Sequence, residues 1–213
     1  AELFTDAQAE AMVHAGFRWI LVGFESGSPR ILDNIQKMAT QEDNTRCITI
    51  AHQYGFKVKC LMWLGHAGDS EATIRETKEW LLENRADDFD ATIITVFPGC
   101  PYYDDAAETS PGVWTFTAKS GDRLHSLEIN FAENHAFYKG VPGAYKSFTF
   151  TDHLSPEDLV RLRDELENDV RAKLGIKFNA SSPGVRYEAS MGALPGYLLR
   201  RSIENPAGVT SGA

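Results

Sequence analysis

Helical patterns and apolar runs alternate along this chain, and that alternation limits the available folds more than any single residue does. FRWILVGF (residues 17–24), FKVKCLMWL (56–64) and ATIITVF (91–97) end near Phe24, Leu64 and Phe97, about 35 residues apart, which is close to the repeat of a strand–helix unit in a parallel barrel. Between them lie segments with apolar residues at helical spacing. These are residues 5–15, closed by Gly16; the stretch after Pro29 with Ile31, Leu32 and Ile35; residues 42–54; and a helix capped by Asp69 or Ser70, with Ile74, Thr77 and Leu81 on one face. Consecutive strands joined by helices run parallel with right-handed crossovers. The expected fold class is therefore α/β: part of a (β/α) barrel of the TIM type, followed by a C-terminal α+β extension.

Three segments are expected. Residues 1–107 hold three β/α units. Residues 108–177 form an extension in which ETSPG breaks the repeat and VWTFTAK and SLEINF read as short antiparallel strands, with aromatics at Phe137, Tyr138, Tyr145, Phe148 and Phe150. Ser155 and Pro156 then start a helix with a stripe of Leu159, Leu162, Leu166, Val170 and Leu174. Residues 178–213, rich in Ser, Gly and Pro, are expected to be a loose tail. A net charge of −9, from 30 acids against 21 bases, argues against nucleic acid as a partner. No apolar run approaches the ~20 residues needed to cross a bilayer, and no leader pattern opens the chain, so a cytoplasmic location is expected. The chain starts at Ala1 rather than methionine, so functional parts are expected upstream. Cys47, Cys60 and Cys100 are too widely spaced for a structural zinc site or a redox dithiol; Cys47 and Cys60 are expected to be buried small hydrophobes.

Ligands of parallel α/β sheets gather where the strands end, because loops and helix starts converge there. Glu25, Gly65 and the Phe97-Pro98-Gly99 turn all fall at that edge. Glu25 is suited to ribose hydroxyls or an ammonium, and Lys37 to a carboxylate. Ser26-Gly27-Ser28, just before Pro29, offers backbone N–H groups to an anion. The glycines of GHAGDS (65–70) let a backbone approach a ligand closely. Each residue also has a plain structural reading: helix-start acid, surface lysine, turn glycine. His66 reads either as a turn residue or as a substrate-side feature.

These segments resemble the radical S-adenosylmethionine (SAM) superfamily. GFRWILVGFESGSPRILDNIQKMAT is similar to the family's fourth-strand segment. YGFKVKCLMWLGHAGDSEATIRET is similar to the fifth, and ATIITVFPGCPYYDDA to the sixth, in the same order. The resemblance implies a SAM site built from Glu25 and Ser26, from Lys37 on the SAM carboxylate, from Trp63 and Gly65 at the adenine, and from Phe97 and Pro98 in an adjacent loop. It departs from the usual wording in the turn after the fifth strand, where His66-Ala67 and Asp69-Ser70 replace a Leu-Pro and a Glu-Thr.

The family's CxxxCxxC loop is absent from the sequence, and thiolates are what hold iron–sulfur clusters. The resemblance therefore implies the C-terminal half of a radical SAM barrel. SAM and a [4Fe–4S] cluster would be cofactors of the parent enzyme, the cluster being held by a missing N-terminal half, and a small molecule would be the substrate. In that enzyme a 5′-deoxyadenosyl radical takes hydrogen from the substrate, and the isolated chain is expected to be inactive. The layout is also similar to cobalamin-binding members, which adds cobalamin to the expected cofactors and leaves methyl transfer, ring formation and methylthiolation open. The competing readings are a non-catalytic nucleotide-binding module and a barrel-completing structural module.

Overall fold

A computed structural model describes residues 1–129 and 146–177. In order come α1 (Asp6–His14), β1 (Trp19–Glu25), α2 (Pro29–Asn34), α3 (Gln41–Gln53), β2 (Lys57–Leu64), α4 (Glu71–Asn84), β3 (Asp88–Ile93), α5 (Pro101–Asp104), β4 (Ala107–Ser110), β5 (Val113–Thr117), β6 (Arg123–Leu127), β7 (Thr149–Thr151) and α6 (Pro156–Leu174). Thr5, Thr40, Ser70 and Ser155 begin α1, α3, α4 and α6 with reciprocal capping boxes. Each box satisfies two of the donors that a helix start leaves bare.

β1, β2 and β3 form a parallel sheet in that order, as the strand–helix alternation predicts. The third strand lies earlier than its apolar run: it begins at Asp88, and Ile94 to Phe97 become a rim loop. The reason is a partner on another strand. Asp88 lies in register with Lys59, and the Lys59 ammonium is 3.1 Å from the carboxylates of both Asp88 and Asp90.

Strand alternation gives the sheet two faces. Val58, Cys60, Met62 and Leu64 of β2 join Phe24, Phe89, Ala91 and Ile93 in a core under α3, α4 and α6. Cys47 and Cys60 are buried there as small apolar groups, and desolvation raises both thiol pKa values. On the opposite face, Leu21 and Trp63 remain 47% and 48% exposed.

The expected α6 stripe is present, with Leu159, Leu162, Leu166 and Val170 buried, but it packs into this same core. In packing terms α6 belongs to the parallel layer. It also closes one edge of the sheet. Glu167 accepts the Ala91 N–H at 3.0 Å, Arg163 Nε donates to the Ala91 carbonyl at 2.9 Å, and Arg171 donates to the Phe89 carbonyl at 2.5 Å. These three side chains are almost fully buried, and they occupy backbone groups of β3 that another strand would otherwise use.

β4 to β7 make an antiparallel sheet in sequential order. VWTFT is a strand as expected, whereas residues 108–110 of ETSPG belong to β4, and the pairing strand is Arg123–Leu127 rather than SLEINF. A second cluster, Ala67, Ile94, Val96, Ala118 and Leu124, seats this sheet on the rim loops. Phe137, Tyr138, Tyr145 and the 178–213 tail lie outside the described residues.

Candidate functional site

The carboxyl end of β1 is irregular. Its register with β2 slips between Gly23 and Glu25, and Glu25 has φ 67°, a conformation uncommon outside glycine. The Glu25 side chain folds back along its own strand, so that a Cβ on Gly23 would lie 2.6 Å from Glu25 Oε1. A glycine inside a strand often marks such a close approach. Gly23 is a site residue that the sequence reading passed over, and the glycine two places before Glu25 was the available signal.

Lys37 Nζ donates to Glu25 Oε1 at 2.7 Å, with both side chains partly exposed. Lys37 arrives on the turn after α2, where its N–H donates to the Leu32 carbonyl and its neighbours Gln36 and Met38 have φ 52° and 60°. The fourth non-glycine residue with positive φ among the described residues is Arg85, remote in sequence. Such conformations cost on the order of 1 to 3 kcal/mol each and cluster at functional sites.

The other predicted residues divide. Glu25, the end of β2 and Phe97 follow the carboxyl ends of three adjacent parallel strands, and so share one rim. Trp63 keeps about half its surface exposed and lies nearly parallel to the His66 ring, with centroids 6.3 Å apart. Phe97 is 44% exposed, and Pro98 lines a neighbouring cavity. Ser26 points inward instead: it is buried, and its hydroxyl bonds Thr77 Oγ1 and accepts the Ser28 N–H. The Gly27 N–H goes to Thr77 and the Ser26 N–H to the Phe24 carbonyl. The anion cradle expected at Ser26-Gly27-Ser28 is thus filled by the protein itself, because α4 packs directly on this turn.

Gly65 is also enclosed. It has φ 91°, its N–H donates to Asp69, and Leu159, Thr149 and Ile93 stand 3.3 to 3.5 Å from where a Cβ would project. Its conformation and packing demand glycine without a ligand.

Asp69 organises the turn. Its carboxylate accepts the Gly65 and His66 N–H groups at 2.8 and 3.1 Å and the Thr73 hydroxyl at 2.7 Å. Burial nonetheless outweighs these bonds and pushes its pKa up to about 6. His66 is buried, and desolvation, with a smaller contribution from the Lys37 charge, lowers its pKa to about 3, so the ring is neutral. Its Nδ1 lies 3.1 Å from the Tyr102 hydroxyl, and its Nε2 has no hydrogen-bond partner among the described residues.

A carboxylate and an ammonium side by side, with an exposed indole on the next strand, fit a ligand that has an amino-acid end and a flat apolar group. They do not fit an iron–sulfur cluster. Among the described residues no three His, Cys, Asp or Glu side chains could hold a metal, and Cys47 and Cys60 face the core.

Residues 1–81 match the family model for the radical SAM superfamily. This stretch is similar to that superfamily over 81 of the chain's 213 residues. Over 98 residues the chain is 26% identical to the bacteriochlorophyllide d C-12(1)-methyltransferase of Chlorobaculum tepidum, covering 46% of this chain and 22% of that protein. Two solved structures of TsrM, a radical SAM methyltransferase from Kitasatospora setae, share its fold. One, with cobalamin and a [4Fe–4S] cluster bound, aligns with TM-score 0.50 at 18% identity, over 90% of this chain and 39% of that one. The other, with tryptophan and a SAM analogue bound, gives TM-score 0.51 at 17% identity, over 96% and 44%. The chain thus spans about a fifth of the curated relative and about two fifths of the solved chains. Glu25 and Lys37 lie within its matched segment.

Proposed function

We propose that this chain is one part of a radical SAM enzyme, a partial (β/α) barrel that supplies one wall of the SAM site and part of the substrate wall. The observation that carries this reading is the Glu25–Lys37 pair: two opposite charges held on a strained rim, within family-matched sequence and with an exposed indole on the adjacent strand. A partly exposed ion pair is worth on the order of 1 kcal/mol, so a ligand that brings both an ammonium and a carboxylate can divide it and satisfy both partners. In this role Lys37 binds the carboxylate of SAM, Glu25 binds its ammonium or a ribose hydroxyl, and Trp63 and Phe97 shield the adenine side from water. SAM supplies a 5′-deoxyadenosyl group for hydrogen abstraction. The cluster needed for that chemistry has no ligands among the described residues, and cobalamin is a further proposed cofactor, supported by the layout of the chain and by the likeness to TsrM with cobalamin bound.

The preceding half of the barrel is the proposed partner. β1 is an edge strand with no neighbour on its far side among the described residues, whereas the far edge of β3 is occupied by α6. Among the described residues, β1 is therefore the edge of the parallel sheet that is open to a partner strand.

The test joins the chain to its preceding half and reconstitutes iron and sulfide without oxygen. SAM should then bind, and Lys37→Ala should weaken binding by about 1 to 3 kcal/mol, the usual effect of losing a hydrogen bond to a charged group. Unchanged affinity in calorimetry removes Lys37 from the site.

A further inference from the structure

A cavity of about 340 Å³ opens between the rim loop after β3 and the antiparallel sheet. Its size falls within the range of small-molecule sites. Val96 and Leu127 give it apolar walls, Tyr103 and Trp114 add exposed aromatic rings, and Glu108 and Glu128 are its charged lining. Among the described residues, no Lys, Arg or His lines it. One Glu108 oxygen accepts the Gly112 N–H at 3.0 Å, and neither carboxylate has an ion-pair partner among the described residues.

We propose that this cavity binds a compact organic cation: an aromatic or otherwise flat apolar body carrying an ammonium group. The apolar body packs against Val96, Leu127 and the two rings, and the ammonium meets the Glu108 and Glu128 carboxylates, with the Trp114 face adding a cation–π contact. An anion of the same shape meets two carboxylates with no cation to offset them, in a chain whose net charge is already −9. The site is separate from the Glu25–Lys37 pair and goes beyond the SAM reading, since it requires neither SAM nor a cluster.

Three probes of nearly equal shape test it on the full chain by titration calorimetry at pH 7: phenethylammonium, 2-phenylethanol and phenylacetate. Phenethylammonium should bind at least ten-fold more tightly than phenylacetate, with the alcohol between them. The double substitution Glu108→Gln and Glu128→Gln should cost the ammonium at least ten-fold and leave the alcohol within two-fold. Trp114→Ala should weaken both the ammonium and the alcohol. Equal affinity for ammonium and carboxylate, retention of ammonium affinity in the double variant, or no binding of any probe each overturns the proposal. Both glutamates lie at the surface, and an unchanged urea midpoint shows that the variants fold. Lys37→Ala should leave all three affinities unchanged, so failure of this site and failure of the SAM reading are told apart.

Discussion

At Gly23 the requirement is room rather than conformation: a methyl group there would lie 2.6 Å from the Glu25 carboxylate. Gly23→Ala should therefore turn Glu25 away from Lys37. Replacing glycine inside a strand also removes backbone entropy from the unfolded chain, worth roughly 0.5 to 1 kcal/mol. The expected result is an unchanged or slightly raised stability by urea unfolding, with at least ten-fold weaker SAM binding in the joined enzyme; equal losses in both would mean that the strand, not the site, was damaged. His66 and Asp69 make a second prediction, because their shifts act in opposite directions. The folded Asp69 keeps its proton up to about pH 6, whereas the unfolded residue loses it near 3.8, so stability from this group falls as pH rises through that window. Folded His66 stays neutral down to about pH 3 while the unfolded ring titrates near 6.5, so stability from His66 rises with pH across the same range. Each slope is about 1.4 kcal/mol per pH unit, and in the parent chain they largely cancel. Between pH 4 and 6, urea unfolding of Asp69→Asn should rise more steeply with pH than the parent, and that of His66→Gln should fall. Parallel profiles would show that neither group is desolvated as described. Both residues could be placed on a turn from sequence alone, but the Tyr102 hydroxyl that meets His66 and the Thr151 hydroxyl that meets the Asp69 carbonyl approach from distant segments.

Among the elements, α6 shows how a helix can serve as the edge partner of a strand. Its leucine stripe was legible from periodicity, and that stripe fixes which face packs. Its buried charges were not legible, since Arg163, Glu167 and Arg171 look like a solvated face until β3 is set beside them. There they replace a missing strand, and Arg171 Nε also bonds Glu167 at 2.5 Å. Removing one member leaves buried charge and bare backbone groups behind. Glu167→Ala should cost about 3 to 5 kcal/mol in chemical unfolding, far more than Arg161→Ala, which removes surface pairs with Glu71, Asp158 and Glu165. Comparable losses for the two would show that the β3 edge does not depend on the clamp. β3 itself was misplaced in sequence for a related reason: Asp88 and Asp90 break an apolar pattern, and only Lys59 on β2 accounts for them.

Across the whole molecule, the sheet is asymmetric. One face carries the core, the other leaves Leu21 and Trp63 about half exposed; one edge is closed by α6, and the β1 edge has no neighbour among the described residues. If the chain is completed at β1, amides of Trp19 to Phe24 should gain hydrogen-exchange protection when the preceding half is joined, while those of β3 should change little. The sequence by itself determined the parallel α/β layer, the helix starts and the rim at which Glu25, the end of β2 and Phe97 meet, because strand–helix alternation and capping residues act over short stretches of chain. The tertiary structure alone decided which rim residues are open and which are enclosed. Ser26 and Gly65 turned inward because α4, β7 and α6 pack on them, and Glu25 turned toward Lys37 because Gly23 left room. Exposure and ion pairing depend on what arrives from elsewhere in the chain, and local pattern carries no record of that.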